Sequence, residues 1–328
     1  MMTLTDIPGL LVGHATDEEH RTGCTVILCP EGAVPGGEVV GFAPGTRETD
    51  LLQPHTRTEE IHGLLLTGGS AYGLAAATGV VRWLTERGYG LETIWARVPL
   101  VPGAVVYDLF YNRSLGKPDE AMGYQAAMNA STDPVRMGCI GAGTGITAGK
   151  LAGIDRAMKS GLGSAGIEAC GVKVAALAVP NPLGDVVDPD TGEVLAGVRT
   201  LDGKGYAGAV SVIQAGESFF SLLAGTNTVL GLVATDAKLN KVQTSRVAKM
   251  AAAGISRAIR PAHTMWDGDY VFALSTGQGP EVDETVVGVL AAEVLGRAIA
   301  EGAKAAVTVP RQSEVVPEMP AYRDMRRP

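Results

Sequence analysis

An α/β fold is what the sequence predicts, because short β-branched apolar runs of strand length alternate with longer alanine- and glycine-rich stretches of helical character. No internal repeat, low-complexity block or long linker interrupts this pattern, so the 328 residues read as one domain. An apolar content of 46% supplies a core, and the 44 glycines are spread through apolar runs, where tight turns and close backbone approaches explain them.

Residues 24–28, 38–42, 62–66, 174–179 and 210–213 read as strands by length and β-branched content. Residues 70–86 read as a helix that Ser70 caps and Gly88 stops. A second helix spans 241–259, and Pro261 fixes its end by excluding helical geometry at Arg260. A third runs from about 283 to 301, capped by Asp283 and braced by Glu293 and Arg297 one turn apart. The run from Thr228 to Asp236 is nearly all apolar, which predicts a strand buried on both faces with Thr228 at its first position. Residues 263–275 begin as a loop carrying Asp267 and Asp269 and continue into another apolar strand.

Charge and composition exclude several function classes. The net charge of −8 offers no basic stripe to phosphates, so no nucleic-acid partner is expected, and Arg323, Arg326 and Arg327 read as a solvated tail. The first thirteen residues lack a signal-peptide pattern, and no stretch reaches the ~18 apolar residues of a membrane span, so a cytoplasmic protein is expected. Cys24, Cys29, Cys139 and Cys170 have no zinc spacing and read as buried thiols. His14, His20, His55, His62 and His263 form no metal motif, and neither a metal nor a cofactor is expected.

The glycine-rich loop at 140–150 fails both nucleotide templates: Ile146 stands where a dinucleotide fingerprint needs glycine, and Leu151 where a Walker loop needs serine or threonine. On spacing alone Lys150 is a surface lysine. Gly68-Gly69-Ser70 is not a nucleophile elbow either, which leaves a nucleophile that supplies its own base as a route to acyl transfer.

Three segments, APGTRETDLL at 43–52, LTGGSAYGL at 66–74 and GTNTVLGLVATD at 225–236, together resemble the P1 family of peptidases. That group holds the D-aminopeptidase/esterase and β-aminopeptidase enzymes and the 6-aminohexanoate-oligomer (nylon oligomer) hydrolases, and a more distant similarity reaches the ornithine acetyltransferases. The likeness continues through VPNPLG at 179–184 and the Asp267-Gly268-Asp269 loop, so it covers almost the whole chain.

The resemblance implies a four-layer αββα sandwich of the N-terminal-nucleophile type. It also implies a precursor cut between Asn227 and Thr228 into an α subunit, 1–227, and a β subunit, 228–328, assembled as a tetramer of αβ units. The implied activity is hydrolysis of linear amide bonds in short peptides or ω-amino-acid oligomers. The alternatives are an exo-acting β- or D-aminopeptidase and, further off, an acyl transferase. Carried over position by position, Thr228 is the nucleophile, with Tyr107, Lys150, Asn181, Asp267 and Asp269 around it. Thr228 and Asp-x-Asp lean towards the nylon-hydrolase branch, whereas the Arg47–Asp50 stretch looks like the wider family.

The chemistry of these residue types fits. A terminal amine with a pKa near ~8 can take the proton of a hydroxyl on the same residue. Two residues apart in an extended segment, Asp267 and Asp269 point to one side, where each raises the other's pKa. Asn181, fixed between two prolines, offers an amide to a developing oxyanion, worth ~3 kcal/mol where such donors have been removed. Lys150 would tune nearby acids or bind a carbonyl, and Tyr107 would donate a hydrogen bond to Thr228 or the substrate.

Overall fold

The computed structural model describes residues 1–110, 116–217, 226–311 and 316–325. Nine described strands are joined by hydrogen bonds, eight along one path and the first as a branch: β1 (Leu11–Asp17), β2 (Thr22–Val39), β3 (Thr46–Arg47), β4 (Ile61–Thr67), β5 (Gly103–Val105), β6 (Gly163–Ala169), β7 (Val172–Asn181), β8 (Thr228–Thr235) and β9 (Tyr270–Ser275). The order is β6-β7-β8-β9-β2-β4-β5-β3, with β1 on β2, and all pairs are antiparallel except β8 with β9 and β4 with β5.

The path is really two sheets sharing one strand. The first part of β2 pairs with β1 and β4, the last part with β9, and the register on β4 shifts between Leu28 and Ala33. Such an irregularity bends the strand that carries it. Strand alternation then sorts the side chains. Ile27, Leu64 and Leu66 from one sheet meet Leu177, Val179, Leu230, Leu232, Tyr270 and Phe272 from the other in a single inter-sheet core.

The opposite faces are covered by helices. Cys24, Val26, Leu28 and Leu65 pack on α1 (Ala76–Glu86) and α2 (Glu120–Met128). Val174, Ala176, Val229, Val233, Val271 and Ala273 pack with residues of α4 (Lys241–Ala251), α5 (Ala253–Ala258) and α6 (Glu284–Ala305). Layers of helix, sheet, sheet and helix result, the αββα order that was expected. With both of its faces covered, β8 is buried at every residue, which is why its sequence runs apolar without alternation. Small residues let α6 come close: a Cβ added at Gly163 in β6 would lie 2.1 Å from the carbonyl oxygen of Ala298.

Several local expectations need correction. Residues 210–213 lie not in a strand but in the helix α3 (Ala209–Gln214), because the Ala209 N–H is taken by the distant Asp185 carboxylate at 2.6 Å. Of 38–42 only Glu38 and Val39 are strand; the next residues bond to the 267–269 loop. Ser70 does not cap a helix. It has a φ of +52° and opens a 3-10 turn, Ser70–Ala75, that leads into α1, which Gly88 follows at φ +75°. The 241–259 helix is broken at Ala252, and Ile259–Arg260 is a short strand against Asp185–Val187. Asp283 caps α6 through the Thr285 N–H as expected. Glu293, however, pairs with Arg257 of α5, and Arg297 with Asp190 at 4.0 Å, so no intrahelical brace forms. Cys24 and Cys29 are buried, but Cys139 is only partly so and Cys170 is exposed. Arg326 and Arg327 lie outside the described residues.

Candidate active site

Thr228 starts β8 and is 6% exposed, opposite Asn181 at the end of β7. Its Oγ1 donates to the carbonyl oxygen of Asn227 at 2.5 Å. That same oxygen accepts the N–H of Gly268 at 2.9 Å. A hydroxyl thus lies against the peptide group that precedes it, and a fixed backbone donor stands where negative charge would develop on its oxygen. Gly268 is there because nothing larger fits: an added Cβ would lie 2.4 Å from Ala43 O and 2.9 Å from Thr228 Oγ1. Gly225, from the motif before the junction, lies outside the described residues.

Asn181 is fully buried, and its amide is oriented by its neighbours. Oδ1 accepts from Lys150 Nζ at 2.7 Å and from the Thr147 N–H at 3.0 Å, while Nδ2 donates to the carbonyls of Tyr107 at 3.0 Å and Thr226 at 3.2 Å. Both amide hydrogens are therefore taken while the chain runs unbroken from Thr226 through Thr228. Lys150 is not the surface residue that its spacing suggests. At 2% exposure it also donates to the Asn181 and Thr147 carbonyls, and burial lowers its pKa to about 7 against the opposing pull of Asp267. Tyr107 enters the site through its backbone carbonyl; no described hydrogen bond places its hydroxyl on Thr228.

Asp267 and Asp269 are both buried and straddle the nucleophile. Asp269 Oδ1 accepts the N–H of Val229 at 2.7 Å, and Asp267 Oδ1 accepts that of Leu183 at 3.2 Å. Of the two, Asp269 bonds the chain beside Thr228, and no described bond of either runs to Oγ1 itself. Burial, and then the neighbouring Asp269 charge, hold the Asp267 carboxyl above the usual carboxylate range. The loop is clamped from the other side as well. Val40 and Gly41 donate to Asp269 O, and Phe42 and Ala43 to Asp267 O, all at 2.8 to 3.0 Å. The 43–52, 179–184, 225–236 and 267–269 motifs thus meet around one threonine.

Sequence reading missed some members. His263 bonds Asp269 Oδ2 through Nδ1 at 2.8 Å, and Thr264 gives both its N–H and its hydroxyl to Asp267 Oδ2. Their signal was adjacency, since they stand just upstream of the Asp-Gly-Asp loop. Asp108, next to Tyr107, is buried and accepts from Thr22 Oγ1 at 2.7 Å and the Gly69 N–H at 2.7 Å, which ties the 66–74 segment to this end of the sheet. Burial pushes its pKa up to about 6. No described group of three or more His, Cys, Asp or Glu residues could hold a metal ion, and no described helix is long and apolar enough to cross a membrane. A cleft of about 890 Å³ near His14 and Arg136 shares no residue with this cluster.

Comparison with known proteins supports the expected family. The model of peptidase family S58 matches residues 3–314. A Mycobacterium tuberculosis (strain H37Rv) protein named an uncharacterized aminopeptidase is 39% identical over 99% of this chain and 98% of its own. The 6-aminohexanoate-oligomer endohydrolase of Kocuria sp. (strain KY2) is 32% identical over 91% of this chain and 85% of its own. Among solved structures, the L-aminopeptidase D-Ala-esterase/amidase of Ochrobactrum anthropi, described as a variant of the Ntn hydrolase fold, aligns with a TM-score of 0.73. It covers 97% of this chain and 90% of its own at 20% identity, so this likeness speaks for the fold.

Proposed function

This chain belongs to peptidase family S58 and is a hydrolase of amide bonds, and from that premise we propose that it cuts its own backbone between Asn227 and Thr228 and then uses the freed Thr228 as its nucleophile. The observation that carries the reading is the 2.5 Å contact between Thr228 Oγ1 and the Asn227 carbonyl, with Gly268 N–H on the same oxygen. In the first step Oγ1 adds to the Asn227 carbonyl carbon, the C–N bond breaks, and the acyl group moves from nitrogen to oxygen as an ester. The proton leaving Oγ1 ends on the Thr228 nitrogen. Water then opens the ester, leaving an Asn227 carboxylate and a Thr228 that carries both a free amine and a free hydroxyl.

In the mature enzyme, residues 1–227 and 228–328, the amine takes the hydroxyl proton as Oγ1 attacks the substrate amide. The same proton goes out with the leaving amine, and water hydrolyses the acyl-enzyme. Asp269, bonded to the next residue's N–H, sits beside the new amine. Asp267, held above the usual carboxylate range by burial and then by the Asp269 charge, lies on the other side of the loop's glycine. Release of Thr226 on cleavage frees one Asn181 N–H for the oxyanion, and Lys150 holds that amide in register. Tyr107 serves this arrangement through the carbonyl that anchors the other N–H.

The substrates in this reading are linear amides of short peptides or ω-amino-acid oligomers, in line with the name of the Kocuria relative. An exo-acting aminopeptidase is the second reading, favoured by the higher identity of the mycobacterial relatives. N-acetylation of a turned-over substrate separates the two, because only the exo enzyme requires a free amine. We also propose a homotetramer of αβ units, to be read by analytical ultracentrifugation. The central test is intact-mass spectrometry. Two chains beginning at Met1 and Thr228, and a Thr228→Ala variant that stays whole and inactive, are expected; one uncut, fully active chain would overturn the proposal.

A further inference from the structure

His263 has no part in the scheme above, yet it is bonded directly to Asp269, which does. Its Nδ1 lies 2.8 Å from Asp269 Oδ2, and its own N–H lies 3.3 Å from the same oxygen. Asp269 is 0% exposed, and the only other donor described on it is the Val229 N–H on Oδ1. A buried carboxylate needs such donors, because water cannot reach it to solvate the charge. The His263 N–H is a donor in any state of the ring, and the imidazole Nδ1 shares the same oxygen.

The backbone supplies a second, independent observation. His263 has a φ of +55°, in the left-handed region that side chains other than glycine seldom adopt. Strain of this kind persists where the surroundings over-determine a conformation, and it gathers at active sites. Here it aims the ring and the N–H of one residue at one oxygen. The neighbouring Thr264 does the same for Asp267 Oδ2. The two consecutive residues thus hold one carboxylate each, and they treat them differently. Asp267 receives a hydroxyl and a backbone N–H, groups that bring no charge. Asp269 receives an imidazole and a backbone N–H from a residue whose side chain is 21% exposed.

We propose that His263 is a positioning residue for the hydrolytic reaction, fixing Asp269 Oδ2 so that Oδ1 stays aimed at the Val229 N–H and the Thr228 amine. The inference rests on the reading of Thr228 as nucleophile. Two charged groups lie around the pair. Asp267 lies close enough to raise its own pKa through the Asp269 charge, and Lys150 draws towards Asp267.

The test compares His263→Asn with His263→Gly. Asparagine keeps a donor at the Nδ1 position and tolerates a left-handed backbone, whereas glycine relieves the backbone and removes the donor. With a short linear amide as substrate and thermal melts confirming folded protein, His263→Gly should lower kcat by about 100-fold, with KM little changed, and His263→Asn should recover most of that loss. Where a variant purifies uncut, the rate of self-cleavage, read by intact mass, must follow the same order. A glycine variant at wild-type kcat, or an asparagine variant as slow as glycine, overturns the role. Thr228→Ala is measured alongside. If it still hydrolyses the amide, the nucleophile reading itself fails; if it is inert while His263→Gly is fully active, only the role of His263 fails.

Discussion

Replacing Gly268 by alanine places one methyl group between the proposed nucleophile and the 40–43 segment that clamps its loop. The new Cβ would stand 2.4 Å from Ala43 O and 2.9 Å from Thr228 Oγ1, and real Cβ contacts do not fall below 3.0 Å. Ala43 O must therefore retreat by 0.6 Å (3.0 minus 2.4) or the 267–269 loop must move instead. Ala43 is not free to yield, because its own N–H and that of Phe42 are both bonded to Asp267 O. The displacement falls on the Gly268 N–H and the hydroxyl beside it. Overpacking of this kind costs ~1–3 kcal/mol of stability. A misplacement approaching 1 Å at the reacting atoms costs up to about 100-fold in rate. Urea denaturation reads the first effect, and the uncut fraction followed by intact mass over time reads the second. Gly63→Ala is the control, since its added Cβ meets nothing nearer than 3.5 Å; it should be neutral or stabilising by roughly 0.5 kcal/mol through the unfolded chain. A Gly268→Ala protein that matures and hydrolyses at the wild-type rate would refute the argument that this close approach sets the geometry of Thr228.

Two further outcomes are expected. Asp108 is buried and its pKa is raised to about 6, so between its unfolded value of 3.8 and 6 the folded protein holds a proton that the unfolded chain releases. Stability contributed by this group is present below 3.8, falls as pH rises through that window and stays lost above it, a span of roughly 3 kcal/mol at most. Asp108→Asn should remove that share of the slope in melting temperature against pH, while the shares of Asp185 and Asp267, which are raised in the same direction, persist. For the helices, a double-mutant cycle on Arg257 and Glu293 should give a coupling of about 0.5 kcal/mol, as partly exposed pairs do. The cycle on Glu293 and Arg297 should give none, and a coupling there would restore the intrahelical brace.

Strands buried on both faces were the most legible part of the fold. β8 was readable to within a residue because eight consecutive buried positions leave no room for polar alternation. The 210–213 segment was not, since Val, Ser, Val and Ile carry strand propensity, while the bond that starts its helix comes from Asp185, 24 residues earlier. Likewise Glu293 found its partner 36 residues away and not one turn along. In the candidate site, the residue types named from the resemblance do gather around Thr228. Their working contacts, however, were not legible: spacing made Lys150 a surface residue, and only its three carbonyl and amide acceptors reveal why it is buried. Asp108 gave no signal because the partners that bury it lie 86 and 39 residues away in sequence.

The order of strands bears on what a break before Thr228 would leave behind. Residues from 228 onward contribute β8 and β9, and these lie side by side with β7 on one flank and β2 on the other, both from the earlier part of the chain. A nick at that junction would leave the later segment's strand pair wedged between two strands of the earlier one. Neither segment could withdraw without tearing ladders along both of its borders and opening the inter-sheet core at once. The later segment would stay captive by topology, with no covalent tie.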